Sequence, residues 1–176
     1  SFEGKSISTD LSVHSEFEVA NIAAALAAFL SMGHSIDKLI DLLPQLSSVP
    51  GRMQKIPGPK GCPAVVLDYA HTPDALERVL RACRHHCEGR LICLIGCGGG
   101  RDVGKRPIMG QVAIENSDVC YFTSDNPRDE DPSEILTNMT SSISNQEKHR
   151  VNLIIDRSEP IRACLLYTSD AADDRM

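Results

Sequence analysis

Four short polar segments of this chain carry the residue types that chemistry needs: "DYAHTP" (68–73), "GCGGGRDVGK" (96–105), "TSDNPRDED" (123–131) and "DRSEP" (156–160). Each holds an aspartate together with a histidine or an arginine. The glycine-rich segment can cradle an anion with backbone N–H groups, because it leaves an apolar run and enters a helical pattern. Residues 99–106 read G-x-x-x-x-G-K-R. A nucleotide-hydrolysing P-loop needs Ser or Thr after the lysine to ligate Mg²⁺, and Arg106 cannot do that. An anion site using Arg101, backbone amides and Lys105 fits better; the plain alternative is a tight strand-to-helix turn. Asp68 and His71 close an apolar run, where a carboxylate can take two ribose hydroxyls; a structural Asp–His hydrogen bond fits equally well. In "DNPR" (125–128), Asn126 and Pro127 suffice to make a turn. Arg128 is not needed for it. Its guanidinium either presents paired donors to a ligand carboxylate or phosphate, or neutralises Asp129, Glu130 or Asp131. "CRHHC" (83–87) puts Cys83 and Cys87 on one helix face without a second ligand pair, which argues for a helix terminus over a metal site.

All four polar segments follow apolar, strand-like runs, at 64–69, 91–95, 118–122 and 151–155. Helical patterns lie between them near 73–87, 105–116 and 132–142, and a last one begins near 158. Thr72 and Pro73 suit an N-cap and a first helical position. Strands alternating with helices predict an α/β fold: a doubly wound, mostly parallel, Rossmann-like sheet covered on both faces. Ligands bind at the carboxyl ends of strands in such sheets, so the topology predicts one rim carrying all four segments. Ahead of this region, residues 17–32 place Val19, Ile22, Leu26, Phe29 and Leu30 at helical spacing. Gly33 ends that helix, and Ser35 can cap a second one bearing Ile36, Leu39, Ile40 and Leu43. "SSVPGRMQKIPGPKGCP" (47–63) is the clearest linker.

The chain has 176 residues and a net charge of −6, which argues against a nucleic-acid partner, since phosphate neutralisation needs a basic face. No apolar run approaches the roughly 20 residues of a membrane span, so no membrane partner is expected. The sequence opens without Met or a signal-peptide core, which reads as a fragment of a cytoplasmic protein. Seven cysteines without a C-x-x-C pair read as reduced thiols.

"GRM" (51–53), "DYAHTPDAL" (68–76), "GCGGGRDVGKRPIMG" (96–110) and "DNPRDE" (125–130) together resemble the Mur ligases, over about residues 15–161. The nearest branch adds the third residue of the peptidoglycan stem peptide. The resemblance implies an ATP-dependent, ADP-forming ligase joining meso-diaminopimelate to UDP-N-acetylmuramoyl-L-alanyl-D-glutamate through an acyl-phosphate, acting as a monomer. Residues 1–50 would end the central ATPase domain, 51–166 would be a truncated C-terminal Rossmann-like domain, and 167–176 a foreign tail. By the family's pattern Asn21, Arg52, Asp68 and His71 would contact ATP. Arg101 and the tetrad Asp125, Asn126, Pro127 and Arg128 would hold the amino acid, Arg128 gripping the carboxylate that lysine lacks. The resemblance implies no catalytic residue and no metal ligand within this stretch; the P-loop and the Mg²⁺ ligands would lie upstream, so the stretch alone would be inactive. Many members carry Asp where Gly100 stands and Glu where Gln54 stands. Two alternatives are a non-catalytic nucleotide-binding module and a folylpolyglutamate synthetase-like ligase.

Overall fold

A computed structural model of the chain describes residues 8, 9, 11, 13, 16–46, 49–58 and 62–170. Part of the expected linker and residues 171–176 of the expected tail lie outside the described residues. The chain divides into two compact units, residues 1–54 and 55–176.

The first unit holds helix α1 (Glu16–Ser31) and helix α2 (Ile36–Leu42). Gly33 stops α1 at φ +87, a left-handed conformation that costs glycine little. The Gly33 and His34 amides then bond the carbonyls of Leu30 and Phe29, at 3.0 and 3.1 Å, which satisfies two carbonyls at the helix end. Ser35 stands at the N-cap of α2, but its side chain makes no capping hydrogen bond. Leu39 and Leu43 are buried, whereas Val19 and Phe29 of α1 are about half exposed.

The second unit is built on a three-stranded parallel sheet of β3 (Ile92–Ile95), β4 (Val119–Phe122) and β5 (Val151–Leu153), ordered as in the chain. Ile92 stands opposite Val119, and Cys120 opposite Val151. The crossovers are α4 (Lys105–Asn116) and α5 (Pro132–Thr140), preceded by α3 (Pro73–His85) and followed by α6 (Ser158–Asp170). Thr72 caps α3 through Oγ1, which accepts the Ala75 amide, and Asp131 caps α5 by accepting the Ser133 amide; each cap satisfies a backbone donor that the helix start leaves free.

Helix α4 packs between α3 and α5. The core lies beneath this layer: Leu76 and Leu80 from α3, Met109, Ala113 and Ile114 from α4, Ile135, Leu136 and Met139 from α5, and Cys93, Ile95, Cys120 and Phe122 from the sheet. Along β3 and β4 burial alternates, because successive side chains point to opposite faces. Cys93, Ile95, Cys120 and Phe122 are buried, and Ile92, Leu94, Val119 and Tyr121 are partly exposed. Helix α6 packs against β3.

One expected strand sits elsewhere. Residues 65–67 form β2, which pairs with β1 (Gln54–Ile56) and not with the three-stranded sheet. Eight residues separate the two short strands, so their pairing carries a low loop-closure cost.

Candidate substrate-binding site

The rim at the carboxyl end of the sheet is where the polar segments meet. The glycine loop leaves β3 at Gly96 and passes under the turn that leaves β4. A side chain on Gly96 would collide with the Thr123 carbonyl, and one on Gly99 with the Pro127 carbonyl. Glycine is therefore required at both positions by close backbone approach. The Gly99 amide donates to the Asn126 carbonyl at 2.8 Å, and the Arg128 guanidinium donates back to the Gly99 carbonyl. Gly100 takes φ +59, and its amide donates to Glu130 Oε1 at 2.5 Å.

These bonds revise the expected anion cradle. The amides of Gly99 and Gly100 are occupied by the Asn126 carbonyl and by Glu130, while the Gly104 amide bonds Asp102 Oδ1 at 2.9 Å. The carboxylate seated on the loop is the chain's own Glu130. Its other partner is Arg106, whose Nη2 lies 2.8 Å from Oε2 and 2.9 Å from Oε1. The Gly100 amide and the Arg106 guanidinium together hold the Glu130 carboxyl below the usual glutamate range; both bonds favour the ionised form. Arg106 is 1% exposed, and Arg106 Nε has no hydrogen-bond partner among the described residues.

Arg128 forms no ion pair with its acidic neighbours among the described residues: Glu130 is taken by Arg106, and Asp131 caps α5. Its backbone is left-handed, φ +50, uncommon for a residue with a side chain. Asp125 faces Arg157 of the loop after β5 at 3.5 Å, and that guanidinium also donates to the Ser124 carbonyl at 3.3 Å. Arg101 is exposed and makes no hydrogen bond or ion pair among the described residues. The rim thus gathers Arg101, Asp125, Asn126, Pro127, Arg128 and Arg157.

Asp68 and His71 follow β2, outside the three-stranded sheet, yet they are tied to the same rim. Lys105 Nζ, in the first turn of α4, donates to the His71 carbonyl at 2.9 Å. His71 does not form the Asp–His bond that one reading allowed: its Nδ1 lies 3.1 Å from the Tyr69 carbonyl, and Asp68 Oδ1 accepts the Ala70 amide at 2.8 Å. Asn21 is exposed on α1, and the Arg52 amide bonds the Val49 carbonyl at 3.0 Å; both belong to the first unit. Among the described residues no group of three or more His, Cys, Asp or Glu side chains could hold a metal ion.

Sequence reasoning passed over the Arg106–Glu130 pair; it placed Arg157 on the rim within "DRSEP" but not its pairing with Asp125. A signal for the buried pair exists. Arg106 stands three residues before Met109 and seven before Ala113, so a charge falls in the buried stripe of α4 and demands a partner.

Residues 51–174 match the family model described as Mur ligase, glutamate ligase domain. The UDP-N-acetylmuramoyl-L-alanyl-D-glutamate–2,6-diaminopimelate ligase of Ectopseudomonas mendocina (strain ymp) is 46% identical over 157 residues, 89% of this chain and 31% of that protein. The ligase of the same name from Synechococcus elongatus is 42% identical over 151 residues, 86% of this chain and 30% of that protein. The chain therefore spans about a third of the length of the curated relatives it matches. A solved structure of a ligase of that name superposes with a TM-score of 0.63 at 40% identity, covering 92% of this chain and 32% of the other. A Mycobacterium tuberculosis folylpolyglutamate synthase reaches a TM-score of 0.73 at 20% identity, covering 94% and 36%, which is a likeness of fold.

Proposed function

Because this chain belongs to the Mur ligase family, we propose that it is part of an ATP-dependent, ADP-forming ligase that joins meso-diaminopimelate to UDP-N-acetylmuramoyl-L-alanyl-D-glutamate in cytoplasmic peptidoglycan synthesis. Residues 1–50 end the central domain in this reading, and the second unit is the C-terminal domain that receives the amino acid. One observation carries it. The glycine loop and the Asp125–Arg128 turn are clasped together, and Arg101 and Arg128 stand on them within a few residues of the clasp. Among the described residues Arg128 commits one donor, to the Gly99 carbonyl, and a guanidinium has five, so a planar fork remains for a carboxylate. Diaminopimelate carries a second carboxylate; lysine does not.

Phosphoryl transfer from ATP to the D-glutamyl carboxylate releases ADP and leaves an acyl-phosphate. The neutral amine of diaminopimelate attacks its carbonyl carbon, the C–O bond to phosphate breaks, and inorganic phosphate and the amine's proton leave as the amide forms. The residues here orient that amine. Asp125 and Asn126 offer acceptors for ammonium donors, and Arg101 and Arg128 take carboxylates, so the nucleophile is held in one pose. Asn21, Arg52, Asp68 and His71 are assigned to the nucleotide. Mg²⁺ would neutralise phosphate charge in the phosphoryl transfer; among the described residues no cluster of three or more His, Cys, Asp or Glu would hold it.

The test is ADP release by the full-length monomeric ligase. Release that requires both the UDP-linked dipeptide and diaminopimelate, with lysine a poor replacement, is the expected result, and residues 1–176 alone should release none. Equal turnover of lysine and diaminopimelate would remove the substrate assignment.

A further inference from the structure

We propose that Glu130 is a positioning residue, fixing the glycine loop and the Asp125–Arg128 turn so that Arg101 and Arg128 grip one amino acid together; this rests on the function proposed above. The two arginines belong to different crossovers. Arg101 leaves β3, and Arg128 leaves β4. Nothing in the sheet itself sets how far apart their guanidiniums stand, since both lie beyond the last strand residue.

Beside the Gly99–Asn126 and Arg128–Gly99 bonds, Glu130 supplies the constraint that reaches a buried anchor. One carboxylate oxygen takes the Gly100 amide, the residue next to Arg101, at 2.5 Å. The same group bonds Arg106 through both oxygens, at 2.8 and 2.9 Å. Arg106 sits in the first turn of α4 and is 1% exposed, so it is a buried post and not a surface partner. Glu130 itself begins two residues after Arg128, and its amide bonds the Pro127 carbonyl at 3.0 Å. A displacement at Glu130 is therefore passed to both grips at once. The His71 segment is held separately, by Lys105 Nζ on the His71 carbonyl, and not by Arg106 or Glu130. A plain salt bridge would not bond the backbone of the substrate loop.

The experiment uses the full-length ligase and separates neutralisation of Arg106 from retention of Gly100. Removing both charges in Arg106→Met with Glu130→Ala leaves no uncompensated buried charge, but it frees the Gly100 amide. KM for diaminopimelate should rise about ten- to a hundredfold, in line with misplacement of a binding group, while KM for ATP stays within about twofold. Arg106→Met with Glu130→Gln keeps an acceptor for the Gly100 amide and should recover most of the loss. The inference is overturned if the first double variant has an unchanged KM for diaminopimelate. It is equally overturned if both double variants lose KM for ATP, kcat and thermal stability in parallel, which is a structural role only. A wild-type enzyme with no diaminopimelate-dependent ADP release would instead overturn the functional reading, and this inference with it.

Discussion

Arg128 holds a backbone conformation that side chains avoid, φ +50, on an exposed turn. Left-handed backbone costs a non-glycine residue about 1 to 2 kcal/mol, and such strain persists where a side chain is needed at that spot. Arg128→Gly in the full-length ligase relieves the strain and loses the bond to the Gly99 carbonyl, worth about 1 kcal/mol. The two nearly cancel, so folding stability should stay within about 1 kcal/mol by urea titration. Binding should not. A charge-assisted pair of bonds in a closed site is worth about 2 to 4 kcal/mol, or roughly thirty- to a thousandfold in kcat/KM for diaminopimelate, with KM for ATP within a few-fold. Arg128→Lys keeps the charge without the fork and should rescue little. An Arg128→Gly enzyme with normal KM for diaminopimelate and a normal preference over lysine would reduce the arginine to a clamp on Gly99. The need for an explanation of Arg128 was legible in "DNPR", since a turn uses Asn126 and Pro127 alone. Its partner was not legible: Gly99 lies 29 residues earlier, and only the packed chain brings it close.

At the scale of elements, the closest seam is that between α4 and α5. A Cβ on Gly110 would overlap the backbone carbonyl of Met139, so the helices touch at backbone distance. Two effects of Gly110→Ala oppose each other. Helix propensity favours alanine by about 1 kcal/mol, whereas forcing two backbones apart costs about 1 to 3 kcal/mol or more. Packing should win, and the midpoint of thermal unfolding should fall; a raised midpoint would mean the helices do not meet there. Helix starts were legible, because Thr72-Pro73 and Asp131-Pro132 carry their own capping chemistry, and α3 and α5 begin at those prolines. The partner of β2 was not, since "AVVLDY" states that it can be a strand but not which edge it joins. The role of the glycine loop was half legible. Its close approach followed from glycine; that Asn126 and Glu130 already fill its amides depended on tertiary placement.

For the whole molecule, titration sets the limits of stability on both sides of neutrality. Glu130, Asp118 and Asp156 all have carboxyls lowered in the fold. Glu130 is lowered by Gly100 and Arg106, and Asp156 by the Ser158 amide and hydroxyl. At Asp118 burial pushes upward, but bonds from Arg84 and the Leu91 amide outweigh it. A lowered carboxyl stabilises the fold fully above its ordinary value, and that stabilisation is lost as pH falls through the folded value. Urea stability should therefore hold down to about pH 5 and fall steadily below about pH 4. The cysteines act at the other end. Burial raises the thiols of Cys93, Cys97 and Cys120, so they stay neutral in the fold while the unfolded chain ionises near their ordinary 9.0. Stability should fall as pH rises past that point. A thiol reagent at neutral pH should label exposed Cys62 at once, and Cys93, Cys97 and Cys120 only on unfolding. Prompt labelling of all of them in the native protein would contradict this core.

The sheet order, β3 then β4 then β5 as in the chain, bears on how the second unit comes together. Each strand pairs with the next one made, and each crossover helix packs beside the one before it, so the core closes through neighbours in sequence. Loop-closure cost rises only slowly with length, and parallel strands joined through helical crossovers place the folding rate between those of helical bundles and all-β domains. Residues 91–153 should behave as one cooperative block, able to assemble before the elements around it. Native-state hydrogen exchange would report this directly: the amides of β3 and β4 should exchange last and together, and those of β2 and of α6 well before them. If β2 were as slow as β4, the block would extend beyond residue 91, and the short sheet it forms with β1 would be as deeply built into the protein as the core.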